Sequence, residues 1–223
     1  IKISKPFKKR LILGEADFSY TASLINKHPN TRNIIITTEL SSLEELKEKY
    51  PYTLHDNLNN IQNSHAIIEF GIDATLLHEK YKNRFNCIHF NFPHDGLNFK
   101  KDQTPIEDLP LATIIAKFFI SARELQYEGD HIHVTLPYNP KLKGFYLGYI
   151  YRIYDASFDA GYKLIKKHKF DAKRYKGYTH QTTLKKNKSP VGDEGGREYV
   201  FQKSSHLEMS SYLPTKQKIY NFQ

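Results

Sequence analysis

Gly14, Glu39, Asp73 and Asn91 each stand just after a short, β-branched apolar run, which is where an open α/β sheet gathers its ligand-binding groups. The run Leu13-Gly14-Glu15-Ala16-Asp17-Phe18-Ser19 leads from a first strand directly into a helix. A small-residue turn admits a ligand close to the backbone, and the helix N-terminus beyond it supplies N–H groups. Gly14, Glu15, Ala16, Asp17, Phe18 and Ser19 are therefore candidate contacts, weighed against the plainer reading of a tight strand-to-helix turn. Thr37-Thr38-Glu39 places a carboxylate at the end of a second strand, where it can accept bonds from ribose hydroxyls. Ile72-Asp73-Ala74-Thr75 follows a third, and Asp73 can accept from an adenine amino group. Each acid taken alone reads as a loop or cap residue. Acids at three successive strand ends, counting the first loop, are harder to dismiss.

The fourth strand closes with Phe90-Asn91-Phe92-Pro93-His94-Asp95-Gly96. An asparagine carbonyl, with adjacent backbone carbonyls, can accept hydrogen bonds from a target N–H and so aim the nitrogen lone pair. Asn91, Pro93, His94 and Asp95 are the candidate catalytic set, with His94 or Asp95 able to take a proton or orient a base. Phe92 joins Asn91 as a candidate cofactor contact. The bland alternative is a strand ended by proline, whose asparagine only satisfies backbone groups.

These groups need a sheet to hold them. Short apolar runs alternate with amphipathic segments, which predicts an α/β fold of the Rossmann-like type: a seven-stranded, mostly parallel sheet with helices on both faces. Strands are expected over 11–14, 33–38, 66–70, 86–92, 131–136, 162–168 and 198–203. Helices are expected over 19–27, over 42–50 behind the capping box Ser42-Leu43-Glu44-Glu45, over 107–127, and as a Tyr-rich element over 143–160 closed by Gly161. One domain is expected over 1–204, followed by a tail over 205–223. The stretch 185–196 reads as a polar loop between the last two strands.

With 39% hydrophobic and 26% charged residues, the composition is that of a folded globular domain. No apolar run approaches the roughly 20 residues that cross a bilayer. The sequence opens with no basic-apolar leader, so a secretory signal is not expected. One cysteine, Cys87, makes an internal disulfide impossible and excludes a cysteine-based zinc cluster; it reads as a buried core thiol of a reducing compartment, and no metal is expected. The net charge of +9 is uneven. Residues 1–139 carry 16 Lys and Arg against 17 Asp and Glu, whereas residues 140–223 carry 17 against 7. A localised basic excess suits a polyanion such as RNA, though a merely solvated basic face fits charge alone equally well.

Beyond these single residues the chain resembles a known family, the large-subunit ribosomal RNA uridine-N3 methyltransferase-like domain. Phe90-Asn91-Phe92-Pro93 also resembles the Asn-Pro-Pro-aromatic motif of nitrogen-directed methyltransferases. The resemblance runs in order from about residue 9 to residue 203. It passes through Gly14-Glu15-Ala16-Asp17-Phe18-Ser19, Glu45-Leu46-Lys47-Glu48-Lys49-Tyr50-Pro51, Asp73-Ala74-Thr75, Ile88-His89-Phe90-Asn91-Phe92-Pro93-His94, Phe118-Phe119 and Val134-Thr135-Leu136. It ends in Tyr175-Lys176-Gly177-Tyr178-Thr179-His180-Gln181-Thr182, and the Phe-Asn-Phe-Pro-His and Gly-Tyr-x-His elements are its specific parts. There are departures. Ala16 stands where the family has glycine, Glu39 lies one position before the family's acid, which aligns with Leu40, and Gln181 and Thr182 replace basic residues.

The resemblance implies S-adenosylmethionine as cofactor and methyl transfer to a uridine N3 of RNA, ribosomal RNA in particular. It also implies an intracellular protein, cytoplasmic in a bacterium and nucleolar in a eukaryote. N3 lies on the Watson–Crick edge, so the target must be unpaired or flipped out, with Phe92, Tyr138 or Tyr178 available to stack on it. Tyr138, Lys173, Arg174, Tyr178 and His180 form the candidate RNA-binding set, and 166–169 with 173–176 could track phosphates. Two rivals remain open at this point: a non-catalytic RNA-binding module on the same fold, and a methyltransferase of a small molecule or protein. The latter binds with little salt dependence, whereas affinity for RNA falls steeply as salt rises.

Overall fold

The computed structural model describes residues 8–28, 33–94, 110–137, 152–180, 196–206 and 209. Seven strands, β1 (Arg10–Leu13), β2 (Ile34–Thr37), β3 (Ile67–Glu69), β4 (Cys87–Asn91), β5 (His131–Pro137), β6 (Tyr162–Phe170) and β7 (Gly196–Lys203), form one sheet. Their order is β3-β2-β1-β4-β5-β7-β6. β1 to β5 pair in parallel and β7 runs antiparallel between β5 and β6. The order reverses between β1 and β4, so the crevice beyond their carboxyl ends is the expected ligand position.

The sequence explains the two faces. Along β1, β4 and β5, alternate residues face opposite sides of the sheet. Leu11, Leu13, Ile88, Phe90, Ile132, Val134 and Leu136 meet α4 (Leu77–Lys80), α5 (Pro110–Arg123) and α6 (Ile153–Asp159) in one buried cluster. Ile12, Ile34 and Ile36 meet α1 (Ser19–Lys27), α2 (Leu43–Lys49) and α3 (Leu54–Gln62) in the other. Each fully buried aliphatic or aromatic side chain contributes roughly 1.5–3 kcal/mol of transfer free energy. These two layers fix the sheet edge on which the site is built.

The expected strands and helices recur with shifts of one to four residues at their ends, and α1 falls where the sequence put it. Ser42 caps α2 by accepting from the Glu45 N–H at 3.1 Å, but the Glu45 carboxylate reaches the N–H and hydroxyl of Ser41, both at 2.8 Å, rather than returning to Ser42. α3, α4 and a short 3-10 turn at Ala172–Arg174 were not foreseen. α3 sits among Asn-rich positions and is settled by packing against α1, with Leu54, Leu58 and Ile61 in the buried cluster that also holds Ile12, Ile34 and Ile36. Of the Tyr-rich helix, only α6 lies within the described residues; most of the 185–196 loop and of the tail after residue 204 lies outside them.

Candidate active site

Gly14 turns the chain out of β1 with φ +68°, a left-handed conformation that side-chain-bearing residues rarely adopt. A Cβ there would stand 3.4 Å from the Phe90 ring. The β1–β4 register pairs Leu13 with Phe90, so Gly14 and Asn91 follow each other across the switch point. Two further residues with positive φ, Phe18 at 61° and Phe92 at 51°, lie on the two loops that meet there. Strained backbone of this kind costs about 1–3 kcal/mol per residue and persists where surrounding contacts impose it.

The acids of the first loop turn inward. Glu15 is buried, its carboxylate accepts from the Thr21 N–H at 3.2 Å, and its own N–H donates to the Thr37 carbonyl at 2.9 Å. Asp17 is also buried; one carboxylate oxygen caps α1 through the Ser19 N–H at 3.1 Å and the other accepts from the Thr179 hydroxyl at 2.8 Å. Sequence reasoning expected open N–H groups at the start of α1. Instead, those of Ser19 and Thr21 are taken by the loop's own acids, because Phe18, in the N-cap position, has no side-chain oxygen to cap with. Glu15 and Asp17 therefore build the loop rather than present free carboxylates to a ligand.

Burial pushes the Glu15 carboxyl up to about 8, the nearby Asp17 charge adding to the rise and the Thr21 bond opposing it. A folded pKa above the unfolded 4.5 means stability that is complete below pH 4.5 and lost as pH rises through 8. Glu15→Gln, which keeps the shape without the charge, is expected to gain stability over wild type between pH 5 and 8. The gain is at most about 1.4 kcal/mol per pH unit. Urea unfolding at pH 5 and 8.5 checks it; identical pH slopes for the two proteins would dismiss the buried charge.

The next strand ends lie beside the first loop. Thr38 donates to the Glu69 carbonyl at 3.2 Å, Ile72 to that of Thr38 at 3.1 Å, and Gly71 to that of Leu40 at 2.8 Å, tying the ends of β2 and β3 together. Glu39 is exposed at the end of β2, while Leu40 is buried, so the acid one position early is the one that faces outward. Asp73 is exposed; its Oδ1 accepts from the N–H and hydroxyl of Thr75, each at 2.7 Å. Ala74 beside it packs partly into the core.

Asn91 ends β4. Its Oδ1 accepts the Thr135 hydroxyl of β5 at 2.9 Å, while Nδ2 is buried and has no partner among the described residues. The expected free acceptor is thus the occupied atom, and the unpaired one is a donor. A hydroxyl both donates and accepts, so Thr135 can hold the amide in either orientation and release Oδ1 toward a ligand N–H. Pro93 is buried and His94 exposed. Asp95 and Tyr138 lie outside the described residues.

The segment after β6 folds back over this edge. The N–H of Thr179 donates to Ser19 Oγ, and that hydroxyl also lies 3.1 Å from the Thr179 carbonyl. His180 stands edge-on to Phe92 with ring centroids 4.5 Å apart, and its Nδ1 is 3.1 Å from the Tyr178 hydroxyl. Burial holds the His180 ring down to about 4, against the pull of Asp17, so it is neutral at pH 7. Tyr178 packs edge-on against Tyr20, Phe170 and Tyr175, so its ring is engaged by protein. Lys173 and Arg174 are exposed on the 3-10 turn. The structure brings Gly14–Ser19, Asn91–His94, Tyr178 and His180 together; Lys173 and Arg174 stand on an adjoining surface.

Sequence reasoning gave no role to three residues that hold the site. Thr135 orients Asn91, Thr179 ties the returning segment to the first loop, and Asn57 of α3 donates to the Asp17 carbonyl at 2.8 Å. Thr135 and Thr179 sit inside runs that carry the family resemblance, which was the available signal; Asn57 carried none.

The protein therefore has a loop, an amide and an aromatic–imidazole pair converging on the switch point of a 3-2-1-4-5-7-6 sheet. Solved structures share this fold. NSun6 from Pyrococcus horikoshii aligns with a TM-score of 0.58 at 14% identity, covering 88% of this chain and 48% of that one. A methyltransferase from Pyrococcus furiosus aligns with a TM-score of 0.51 at 17% identity, covering 89% and 76%. In sequence, the chain is 26% identical to the 25S rRNA (uridine(2634)-N(3))-methyltransferase of Saccharomyces cerevisiae, over 89% of this chain and 74% of that protein. It is 29% identical to the uncharacterized protein At4g26485 of Arabidopsis thaliana, over 76% and 79%. Residues 11–182, which hold every described candidate site residue, match the family described as BMT5-like, rRNA (uridine-N3-)-methyltransferase BTM5-like, and the chain belongs to that family.

Proposed function

We propose that this protein is an S-adenosylmethionine-dependent methyltransferase that methylates the N3 of a uridine in RNA, with ribosomal RNA its substrate class. The observation that carries the reading is the placement of Gly14 and Asn91, each one residue beyond the paired Leu13 and Phe90 at the β1–β4 switch point, inside a chain that matches the family over residues 11–182. The residues fit the cofactor. Gly14 makes a turn in which a side chain would be strained, and exposed Glu39 and Asp73 stand at the two neighbouring strand ends. Glu39 would receive the ribose hydroxyls and Asp73 the adenine amino group. Bound there, the cofactor supplies an electrophilic methyl on a sulfonium.

The chain's own work is positioning, desolvation and proton handling. Asn91, freed from Thr135 on one lone pair, accepts the uridine N3–H and fixes the base edge. His180 is neutral and, through Phe92, lines the same edge. His94, exposed on the loop beyond Asn91, is the group placed to carry the N3 proton to solvent. Lys173, Arg174 and Lys176 supply an exposed cationic surface for the RNA backbone.

Incubation with labelled S-adenosylmethionine and RNA, followed by nucleoside mass spectrometry, tests the reading; 3-methyluridine is expected, and label in protein or small molecules alone would reject it. A second reading, an RNA-binding domain without turnover, draws on the two α1 N–H groups already taken by Asp17 and Glu15. The same incubation separates the two. Replacing Lys173, Arg174 and Lys176 with glutamine is expected to weaken RNA binding. It should also flatten the log–log salt slope by roughly 0.7 for each single-strand phosphate that is no longer neutralised. Binding measured at several salt concentrations checks this, and an unaltered slope would move the RNA surface elsewhere. An intracellular site of action, nucleolar in a eukaryote, follows from this reading.

A further inference from the structure

We propose that Cys87, His89 and His133 form a zinc-binding site on the sheet face directly below Asn91. Cys87, His89 and Asn91 alternate along one face of β4, and His133 and Thr135 share that face on β5. The parallel register pairs His89 with His133 and Asn91 with Thr135, so the two imidazoles form the rung immediately beneath the amide pair on that face, and the Cys87 thiol lies one rung further down. One ligand atom from each of the three residues lies within 4.8 Å of the others, and Cys87 Sγ is 3.2 Å from His89 Nε2. Tetrahedral zinc, with bonds of about 2.0 Å to nitrogen and 2.3 Å to sulfur, sets its ligand atoms roughly 3.3–3.6 Å apart. The widest pair needs to close by about 1 Å, which is within the reach of a side-chain rotation.

The surroundings are those of a metal ligand set. His133 Nδ1 is bonded to Glu198 of β7 at 2.5 Å, and the other Glu198 oxygen lies 3.4 Å from His168 Nε2. This leaves His133 Nε2 to face the thiol and gives the carboxylate–histidine arrangement that orients a ligating imidazole and raises its basicity. Neutral imidazole and thiolate donors suit a borderline-soft divalent ion, with a water filling the fourth position. Arg10 Nη1 lies 3.1 Å from His89 Nε2 and 3.9 Å from Cys87 Sγ. Arg10 is only half-buried, so its guanidinium can swing outward and give up the place of the cation it now provides.

The test uses the full chain without a histidine tag, stripped with a chelator and titrated with cobalt(II) and then zinc(II). One equivalent of cobalt should bind with a thiolate-to-cobalt charge-transfer band in the near ultraviolet, and zinc should displace it. Cys87→Ser should lose that band, and Glu198→Gln should weaken zinc by roughly 10–100-fold. Arg10→Met should bind zinc more tightly than wild type, since it removes a competing charge. Because a core variant can fail to fold, wild type provides an independent reading: zinc binds only the folded chain and must raise its melting temperature. Cobalt spectra without the sulfur band, a band that survives in Cys87→Ser, or a melting temperature indifferent to zinc each overturn the proposal. None of these measurements depends on methyl transfer, so they stand or fall apart from the proposed activity.

Discussion

Asn91→Ala is expected to cut methyl transfer by roughly 10²–10³-fold, the cost of losing one preorganised hydrogen-bonding group at a reacting centre, while cofactor affinity changes only a few-fold. The amide sits at the last residue of β4, gripped by Thr135, and its other end is buried with no partner among the described residues. A buried amide nitrogen left unsatisfied costs on the order of 1–3 kcal/mol, so the fold retains Asn91 at some expense to stability. Alanine removes that expense but also takes the acceptor from the buried Thr135 hydroxyl, so the two effects offset and stability should change little even as turnover collapses. That split distinguishes a functional amide from a structural one. Single-turnover rates with saturating cofactor, beside urea unfolding, measure it; if turnover persists and stability drops, Asn91 merely joins β4 to β5. Thr135→Val should follow in the same direction with a smaller loss, because it frees the amide to rotate without removing it.

Gly14→Val is expected to weaken cofactor binding by at least about 100-fold. Valine is branched at Cβ and is forced at this position to φ +68°, at a cost of about 1–3 kcal/mol, with its Cβ already 3.4 Å from the Phe90 ring before the two methyls are placed. The chain relieves this only by moving the loop, and the loop cannot move alone. Glu15 is tied to Thr37 and Thr21, Asp17 to Ser19, Thr179 and Asn57, so a shift at Gly14 travels into α1, α3 and the segment at 178–180. Gly14→Ala, with no branch to place, should lose less. Calorimetry with S-adenosylmethionine checks both, with circular dichroism to show that the variants fold; a folded Gly14→Val of unchanged affinity would remove the loop from the binding site.

The same bonds explain why two acids are buried in the loop after β1. Phe18 occupies the N-cap position of α1 with no polar side chain, and Asp17 and Glu15 supply the missing acceptors. Their conformation, not an open array of N–H groups, gives the loop its shape.

Much of the fold was legible without coordinates. β-branched runs such as Ile34-Ile35-Ile36 are buried on both sides only in a covered parallel strand, and the alternation of such runs with amphipathic segments permits few other architectures. The strand ends, and with them Gly14, Glu39, Asp73 and Asn91, could be marked because local periodicity sets where a strand stops. Helix α3 was not legible, since its polar residues carry little intrinsic preference and the burial of its three apolar residues against α1 decides it. Neither was the direction of a side chain. Glu15 and Asp17 stand in sequence as candidate contacts, and only the structure shows that both are buried and bonded within the loop, because burial and partners are set by packing.

Cys87 shows the boundary most clearly. As a single cysteine in an apolar run it reads as a core thiol, and it is buried. Its neighbours, however, are Arg10, His89 and His133 rather than aliphatic groups. The sequence determined that Cys87 and His89 share one face of a strand, and that His131 and His133 share one face of another, because side chains in a strand repeat every second residue. Which strands would lie side by side, in which register, and so whether thiol would meet imidazole, was decided by long-range pairing 44 residues apart in the chain. No local preference encodes that distance, and only the packed sheet brings the groups together.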